Sequence, residues 1–207
     1  MNLLITAGPT REYLDPVRFL SNASTGRMGA ALAARAKARG HRVALVLGPG
    51  PAGPPEADDL VRITSAEEML AAVAARFGGC DALIAAAAVC DYRPARRSDH
   101  KIKKGAGRLV LDLVETPDIL AAMAARRTHQ ALVGFCLESE DLEERARAKL
   151  KAKGLDLVVA NAPEAVGADR LDALLIRADG PAERLANVTK EDLADRILRD
   201  LEARRAG

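Results

Sequence analysis

The stretch Asp81-Ala82-Leu83-Ile84-Ala85 decides the fold class of this 207-residue chain. Its apolar residues follow one another without the alternation of polar and apolar positions that a half-exposed strand has. A strand of this kind is covered on both faces, which is typical of a parallel sheet with helices on either side. The stretch therefore predicts an α/β protein with a mainly parallel sheet.

Strands and helices alternate along the rest of the chain. Short leucine-rich or β-branched runs are followed by longer alanine-rich stretches with helical spacing. The predicted strands are residues 3–6, 42–47, 60–63, 81–85, 109–113, 131–135, 157–160 and 173–176. The predicted helices are residues 26–39, 66–77, 142–153 and 189–203, with one more that begins at 116–118. This order predicts a single domain over residues 1–207, a Rossmann-like, doubly wound sheet with a small antiparallel addition within 172–188.

Two helix starts carry recognisable residues. Ser65 is the predicted N-cap of one helix, with Glu67 and Glu68 in its first turn, where carboxylates favour the helix dipole. At the next start, Thr116 supplies a capping hydroxyl and Pro117 takes the first helical position.

The composition excludes several classes of function. Five aromatic residues, 2% of the chain, are too few to line a stacking surface for single-stranded nucleic acid. A net charge of +2 gives little attraction to nucleic acid or to an anionic membrane. No apolar run reaches the roughly 18 residues of a membrane span, and the first residues lack the features of a signal peptide. We therefore expect a cytoplasmic protein with no nucleic-acid or membrane partner.

Cysteine and histidine indicate neither a structural metal site nor a proton-transfer assembly. Cys80, Cys90 and Cys136 are odd in number and lack CxxC spacing, so we interpret them as buried apolar residues in a reducing compartment. The histidines are predicted to be surface residues, and their spacing does not build a catalytic triad. They are His41, His100 and His129.

Neither of the common nucleotide-binding fingerprints is present. A dinucleotide site needs G-x-G-x-x-G in the first strand–helix turn and an acid at the end of the second strand. Here the first strand ends at Gly8, the helix-opening Gly26 and Gly29 come much later, and no acid follows the second strand. The Walker pattern is also absent. The sequence therefore disfavours NAD(P) binding.

A long loop from Gly8 to Thr25 leads instead to the start of a helix at Gly26. Exposed amides and the helix dipole make such a start a place for phosphate. The alternative is that Ser24 or Thr25 caps the helix and the glycines only permit close packing. Because long loops within compact domains are usually functional, the polar loop favours phosphate binding.

Charged residues cluster at two further places. Six of the eight lysines lie in residues 101–104 and 149–153, and lysine is suited to binding phosphate as a point charge. The alternative is two solvated basic surfaces. Asp91 follows the carboxyl end of an apolar strand, where α/β sheets bind ligands. Asp118 lies in the first turn of a helix, where capping alone would explain it.

Taken together, these segments resemble the phosphopantothenate–cysteine ligase family, also called phosphopantothenoylcysteine synthetase. The motifs run in the order that the family has, across nearly the whole chain. They are ITAGPTRE (5–12), DPVRFLSN (15–22), STGRMG (24–29), AAAVCDY (86–92), KIKK (101–104), PDIL (117–120), GF (134–135) and DLVVAN (156–161).

The resemblance implies a Rossmann-like homodimer that couples 4′-phosphopantothenate to L-cysteine in coenzyme A biosynthesis. CTP would activate the carboxylate as an acyl-cytidylate with release of pyrophosphate, and the cysteine amine would then displace CMP. Mg²⁺ is expected as a cofactor. Residues 94–115 would form a mobile, lysine-containing flap and a possible dimerisation segment.

The resemblance also implies site residues. Asn22 would hold the acyl-cytidylate, Arg18 would support that loop, and Lys101 would assist the second half-reaction from the flap. The nucleotide-binding residues would be Gly8, Ser24, Gly26, Ala88, Asp91, Lys101, Pro117, Asp118, Ile119, Leu120, Phe135, Lys149 and Lys153. The resemblance identifies no metal ligands.

Departures from the family pattern leave some points open. Many bacterial members follow a flavin-dependent decarboxylase domain, whereas this sequence starts at the ligase strand, so we expect no FMN. Cys136-Leu137-Glu138-Ser139 stands where Ala-Ala-Glu-Thr is common, and Thr116 stands where Asn is usual. Both changes border the expected base pocket, so ATP, which eukaryotic members use, stays an alternative to CTP. An NAD(P)-dependent reductase and a non-catalytic nucleotide-sensing module are the competing functions.

Overall fold

The computed structural model describes residues 1–50, 53, 55–105 and 107–206. The predicted proline- and glycine-rich loop after residue 47 and the predicted flap each include positions outside these ranges. Those positions are Pro51, Ala52, Pro54 and Ala106. None of the described helices is both long enough and apolar enough to cross a membrane.

Strands and helices alternate as the sequence predicts. The strands are β1 (Asn2–Ala7), β2 (Arg11–Tyr13), β3 (Phe19–Ser21), β4 (Arg42–Leu47), β5 (Asp59–Arg62), β6 (Ala82–Ala85), β7 (Tyr92–Pro94), β8 (Leu113–Glu115), β9 (Ala131–Leu137), β10 (Leu157–Asn161), β11 (Arg170–Arg177) and β12 (Glu183–Thr189). The α-helices are α1 (Arg27–Ala38), α2 (Ala66–Phe77), α3 (Ile119–Ala124), α4 (Leu142–Ala152) and α5 (Lys190–Ala206).

The main sheet has the order β12-β11-β10-β9-β6-β1-β4-β5. Within this sheet the strands β5, β4, β1, β6, β9 and β10 pair in parallel. At the other edge β11 pairs antiparallel with β10 and with β12. Two small antiparallel pairs, β2 with β3 and β7 with β8, lie outside this sheet. The predicted parallel sheet with an antiparallel addition within 172–188 is therefore confirmed.

Helices cover both faces of the sheet, which makes it doubly wound. Helices α1 and α5 contribute to one apolar core, and α2, α3 and α4 contribute to the other. Leu83 on β6 belongs to one core and its neighbour Ile84 to the other, because successive strand side chains point to opposite faces. Both are fully buried, which confirms the prediction from residues 81–85.

One predicted helix start is confirmed and one is wrong. Ser65 forms a capping box with Glu68: its hydroxyl accepts the Glu68 amide, and the Glu68 carboxylate accepts the Ser65 amide. Helix α3, however, is capped by Asp118, whose carboxylate accepts the Ala121 amide at 3.0 Å. The Thr116 hydroxyl donates to the Cys90 carbonyl instead, because the chain stays extended for two more residues.

Two other predictions need correction. The strand predicted at 109–113 is β8, displaced to Leu113–Glu115, where it pairs with β7 rather than with the main sheet. His41 is not a surface residue: its side chain is only 9% exposed, and its Nε2 lies 2.8 Å from an oxygen of Glu202 on α5. The three cysteines are buried and free, as predicted.

Gly29 allows α1 to pack directly on β1. A Cβ atom at this position would lie 2.3 Å from the Cβ of Ala7, closer than two carbon atoms approach. The prediction that a glycine here permits close packing is confirmed. Because the contact is between a helix and the central strand, the orientation of the N-terminus of α1 depends on it.

Gly29→Ala should destabilise the protein by about 1–3 kcal/mol, the usual cost of overpacking a core. Within a helix alanine is otherwise more favourable than glycine. A decrease in the free energy of unfolding would therefore be due to the steric contact with Ala7. Urea unfolding followed by circular dichroism measures it.

Gly78→Ala is the matched control, because Gly78 has a helical φ of −63° and no atom near a Cβ at that position. An alanine there should change stability by less than about 1 kcal/mol, in the stabilising direction. Equal effects of the two substitutions would contradict the packing argument.

Candidate active site

The candidate site lies at the carboxyl ends of β1 and β6. The chain connects β1 to β4 on one side, while β6 leads to β9 on the other, so the strand order reverses between β1 and β6. Doubly wound sheets bind ligands in the crevice at such a switch point. Here the two loops are tied together: the Ala88 amide donates to the Gly8 carbonyl at 3.0 Å, and the Thr10 amide donates to the Ala88 carbonyl at 3.2 Å.

Asn22 joins the loop after β1 to the loop after β6. Its side-chain nitrogen donates to the Ala88 carbonyl at 3.1 Å and to the Val89 carbonyl at 3.0 Å. With both amide protons in use, the carboxamide oxygen is turned away from these carbonyls, and no described residue donates to it. The exposed Asn22 therefore offers a fixed acceptor to a ligand.

The N-terminus of α1 opens beside the same crevice. Its N-cap is Gly26 at φ 77°, a left-handed conformation that favours glycine, and no side chain caps the helix. The Ser24 hydroxyl accepts the Gly26 amide at 3.3 Å, one residue before the helix proper. The Thr25 hydroxyl accepts the amide of Arg27, the first residue of α1, at 3.5 Å. Both hydroxyls therefore accept amides at the entry to the helix, and phosphate binding there stays a prediction.

The predicted flap is held at its base by the loop after β1. Arg18 donates to the Ile102 carbonyl at 2.5 Å, and the Ile102 amide donates to the Asp15 carboxylate at 3.1 Å. Lys101, next to this contact, is exposed and has no ion pair within the described residues. The structure thus brings Arg18 and the Lys101 segment together.

A second group of predicted residues meets where α3, β9 and α4 pack. Lys153 binds the Asp118 carboxylate at 2.8 Å, and the Lys149 ammonium donates to the Phe135 carbonyl at 2.6 Å. Ile119 and Leu120 are buried beneath them and leave Pro117 half-buried at the surface. The predicted sharing of a helix face by the two lysines is confirmed.

Burial and charge change two pKa values in this group. Burial lowers the pKa of the Lys149 ammonium, and nearby Lys153 adds to the effect. For Asp118, burial favours the neutral acid, but the Ala121 amide and Lys153 outweigh it and lower the pKa of the carboxyl. Asp118 is therefore an anion at neutral pH and fixes the position of Lys153.

Thr116 connects the two groups of residues. Its amide donates to the Asp91 carbonyl at 2.9 Å, and its hydroxyl donates to the Cys90 carbonyl. The Asp91 carboxylate is left exposed at the carboxyl end of β6, where the sequence places it. The loops that carry Asn22, Asp91 and the start of α3 thus adjoin one another at one edge of the sheet.

Several residues that build this edge were not predicted as site residues. The Thr10 side chain is buried, and its hydroxyl accepts the Cys90 amide at 3.0 Å. The buried Glu12 carboxylate accepts the Ala66 amide at the start of α2 at 2.9 Å. Asp15 is buried beneath Arg18. All three lie in motifs that the sequence singled out, but each has a hydrogen-bond partner distant in sequence, which for Asp15 is Ile102.

A cavity of about 320 Å³ lies at the opposite, amino-terminal edge of the sheet. Arginines line it, but Arg127 and Arg204 bind Asp156, and Arg205 binds Asp81. Their charge is therefore largely balanced by carboxylates.

Comparison with known proteins identifies the family of the chain. The pattern of the DNA/pantothenate metabolism flavoprotein C-terminal domain matches residues 1–204. The chain belongs to this family. The prediction of family membership from the sequence motifs is thereby confirmed.

Curated members of the family include two bifunctional proteins of coenzyme A biosynthesis, both named CoaBC. The protein from Bacillus subtilis is 42% identical over 207 residues, 98% of this chain and 51% of its own length. The protein from Escherichia coli is 47% identical over 165 residues, 78% of this chain and 41% of its own. The chain thus spans about half the length of the curated relatives it matches.

Solved structures share the fold along nearly the whole chain. The crystal structure of the C-terminal domain of a CoaBC protein has a TM-score of 0.85 at 37% identity, covering 99% of this chain and 95% of its own. A complex of a Cab2 H337A mutant with phosphopantothenate-cysteine has a TM-score of 0.80 at 20% identity, covering 98% of this chain and 85% of its own, a likeness of fold alone.

Asp118→Asn should lower the free energy of unfolding at pH 7 by about 0.2–1 kcal/mol, a range suited to a side chain that is 47% exposed to solvent. Asparagine still caps α3, so the loss reports the charge. Because the folded-state pKa of Asp118 is lowered, this contribution exists above the unfolded pKa of about 4 and disappears as the pH falls through the folded pKa.

Urea unfolding at pH 7 and at successively lower pH checks this. The control is Asp112→Asn, which removes an exposed carboxylate with no hydrogen bond among the described residues. The difference in the free energy of unfolding between the wild type and D118N should become smaller as the pH is lowered. A difference that stayed constant in acid would contradict the assignment of this stabilisation to the charge of Asp118.

Proposed function

We propose that this domain joins 4′-phosphopantothenate to L-cysteine, as a phosphopantothenate–cysteine ligase. In the first step a carboxylate oxygen of the pantothenate attacks the α-phosphorus of CTP, and pyrophosphate leaves. In the second step the cysteine amine attacks the acyl carbon, the bond to CMP breaks, and an amide forms with loss of one proton. Both steps depend on positioning and on stabilisation of negative charge more than on proton transfer.

The observation that supports this proposal is the convergence of the dispersed family motifs on one edge of the sheet. The loop with Asn22, the loop with Asp91 and the flap base at Ile102 are joined by direct hydrogen bonds. The motif with Asp118 adjoins them through Thr116. Such an arrangement suits a ligand with several polar groups along its length, such as an acyl-nucleotide.

The roles of the residues follow from their chemistry. Asn22 holds the acyl-cytidylate through its free carboxamide oxygen, and Arg18 supports the loop and the flap base. Lys101 lies over the intermediate and stabilises the negative charge that develops as CMP leaves. Gly8, Ala88, Ser24 and Gly26 lie along the crevice beside the N-terminus of α1, whose dipole favours phosphate. Their assignment rests on position in the motifs.

The nucleotide is bound between the two groups of residues. Asp91, Phe135 and residues 117–120 contact it, with Lys149 and Lys153 beside the base or phosphates. CTP is the expected substrate and ATP the alternative. The two departures from the family pattern that bear on this choice of nucleotide are at Cys136 and Thr116. Cys136 is buried beside Glu138, and the Thr116 hydroxyl donates to a carbonyl within the protein.

Magnesium accompanies the nucleotide in this proposal. Within the described residues there is no group of three or more histidine, cysteine or acidic side chains suited to holding a metal ion. Magnesium commonly takes one or two carboxylates together with substrate phosphates and water. The exposed carboxylate of Asp91 fits this role. The ion would neutralise phosphate charge. No flavin is expected to bind this domain.

We also infer a homodimer formed through the β7–β8 pair and the segment before β8. Apolar side chains are exposed there in unusual number, among them Tyr92 at 51%, Leu109 at 61% and Val110 at 86%. Exposed apolar patches of this kind mark interaction surfaces, and β8 adds a strand edge. Sedimentation velocity at micromolar concentrations tests this, and a monomer throughout would contradict it.

The experiment for the proposed function combines the protein, Mg²⁺, phosphopantothenate and cysteine with CTP or ATP. Cysteine-dependent release of CMP or AMP, with pyrophosphate, is the expected result. If neither CMP nor AMP is released in a cysteine-dependent reaction, the proposal is wrong. CTP binding without turnover would favour the nucleotide-sensing module, and nicotinamide cofactor binding in a titration would favour the reductase.

Asn22→Asp should lower kcat/KM by about 10- to 100-fold, the effect of losing a hydrogen bond and introducing charge repulsion. A carboxylate can neither donate to the Ala88 and Val89 carbonyls nor tolerate them as close neighbours. The fold should remain intact because Asn22 is exposed. Steady-state kinetics and circular dichroism measure both effects, with Asp179→Asn, in the exposed turn between β11 and β12 at the opposite edge of the sheet, as control.

Lys101→Gln should slow the cysteine-dependent step by about 100-fold and let the activated intermediate accumulate. Glutamine keeps the length of the side chain approximately but removes the positive charge. Rapid quench and chromatography detect the acyl-nucleotide. Lys104→Gln, in the same exposed segment, is the control, and wild-type turnover in the Lys101 variant would show its assignment to be wrong.

A further inference from the structure

Asp15 is a buried carboxylate that the proposed chemistry does not use. Its side chain has no exposed surface, although Arg18 above it is 42% exposed. Oδ1 accepts the amides of Val17 at 2.8 Å and Arg18 at 2.9 Å. Oδ2 accepts the Arg18 guanidinium at 2.6 and 2.9 Å and the Ile102 amide at 3.1 Å.

The last of these hydrogen bonds crosses 87 residues of sequence and ends at the flap. Arg18 donates to the carbonyl of the same Ile102, so the peptide units on both sides of this residue are held. The Ser98 amide donates to the Leu14 carbonyl at 2.8 Å. Residues 14–18 and 98–102 are thus fastened at two points, immediately before the lysine-rich residues 103 and 104.

The charge of Asp15 is well suited to this contact. Burial by itself raises the pKa of a carboxyl, but the amides of Val17, Arg18 and Ile102 and the Arg18 guanidinium hold the pKa of Asp15 well below its usual range. A carboxylate accepts all of these donors at once, whereas an amide side chain would present an N–H group toward some of them.

We propose that Asp15 is a positioning residue that anchors the flap and thereby fixes Lys101. The Ile102 amide belongs to the peptide bond that follows Lys101, so the hydrogen bond restricts the backbone from which the lysine side chain extends. Asp15 does not contact substrate. This inference rests on the proposed ligase function for its catalytic readout, while its structural readout is independent of activity.

The structural test uses a lysine-specific protease on the native protein. Asp15→Asn should speed cleavage after Lys101, Lys103 and Lys104 about 10-fold or more, because a hydrogen bond to a charged group is lost at the base of the segment. Cleavage after Lys149 in α4 is the internal standard and should not change. Asp99→Asn, an exposed acid within the flap, is the control variant.

The catalytic test separates the two half-reactions. Exchange of labelled pyrophosphate into CTP, without cysteine, reports the first step, and cysteine-dependent CMP release reports the second. Asp15→Asn should slow the second step about 10- to 100-fold and leave the exchange near the wild-type rate, as expected of a displaced Lys101. Equal losses in both half-reactions would overturn the proposal, as would D15N behaving like D99N.

A second pair of variants applies if D15N fails to fold. Ile102→Pro removes the amide that donates to Asp15 and also fixes the φ of residue 102, whereas Ile102→Val keeps the amide. Because a proline after Lys101 blocks cleavage there, the comparison uses Lys103 and Lys104. Faster cleavage after these two lysines in I102P than in I102V supports the anchor, and equal cleavage overturns it. If the wild-type protein is inactive with both CTP and ATP, the proposed function fails, while the cleavage comparison still decides whether Asp15 holds the flap.

Discussion

The close approach of two backbone turns at the carboxyl edge governs the rest of this structure. Gly8 has a φ of 78°, and a Cβ there would lie 2.8 Å from the Gly48 carbonyl oxygen. A Cβ on Gly48 would lie 2.0 Å from the Pro9 carbonyl oxygen. The turns after β1 and β4 thus touch without side chains between them, and on the other side of β1 the chain from Gly8 to Thr10 is hydrogen-bonded to Ala88, beyond the end of β6. The crevice at the switch point is thereby formed.

Loops built on this edge become rigid through side chains that bond to distant backbone. Asn22 bonds to the loop after β6, Thr116 ties that loop to the start of α3, and Asp15 with Arg18 ties the β1 loop to the flap. Parallel strands supply the common edge, but their order alone would leave these loops independent. The polar contacts join four sequence motifs at one edge of the sheet.

The elements were predictable wherever local pattern decides them. The run 81–85, the capping box at Ser65 and the antiparallel strands near the C-terminus follow from burial, capping and alternation, which short segments encode. The start of α3 could not be predicted, because Thr116 and Asp118 are both good helix caps. The hydrogen bonds of Thr116 to Cys90 and Asp91, which are tertiary contacts, leave Asp118 as the cap. Strand β8 was misplaced because the apolar residues 109–111, which lie outside any sheet, imitate its pattern.

By itself, the sequence determined the class of fold, the family and the motifs that carry candidate site residues, because each depends on residue types at short spacing. The tertiary structure alone decided which motifs touch. Asp15 and Ile102 stand 87 positions apart, and nothing local to either indicates the hydrogen bond between them. His41 likewise reads as a surface residue until α5 brings Glu202 against it. Contacts of this range arise only when the sheet fixes its loops in space.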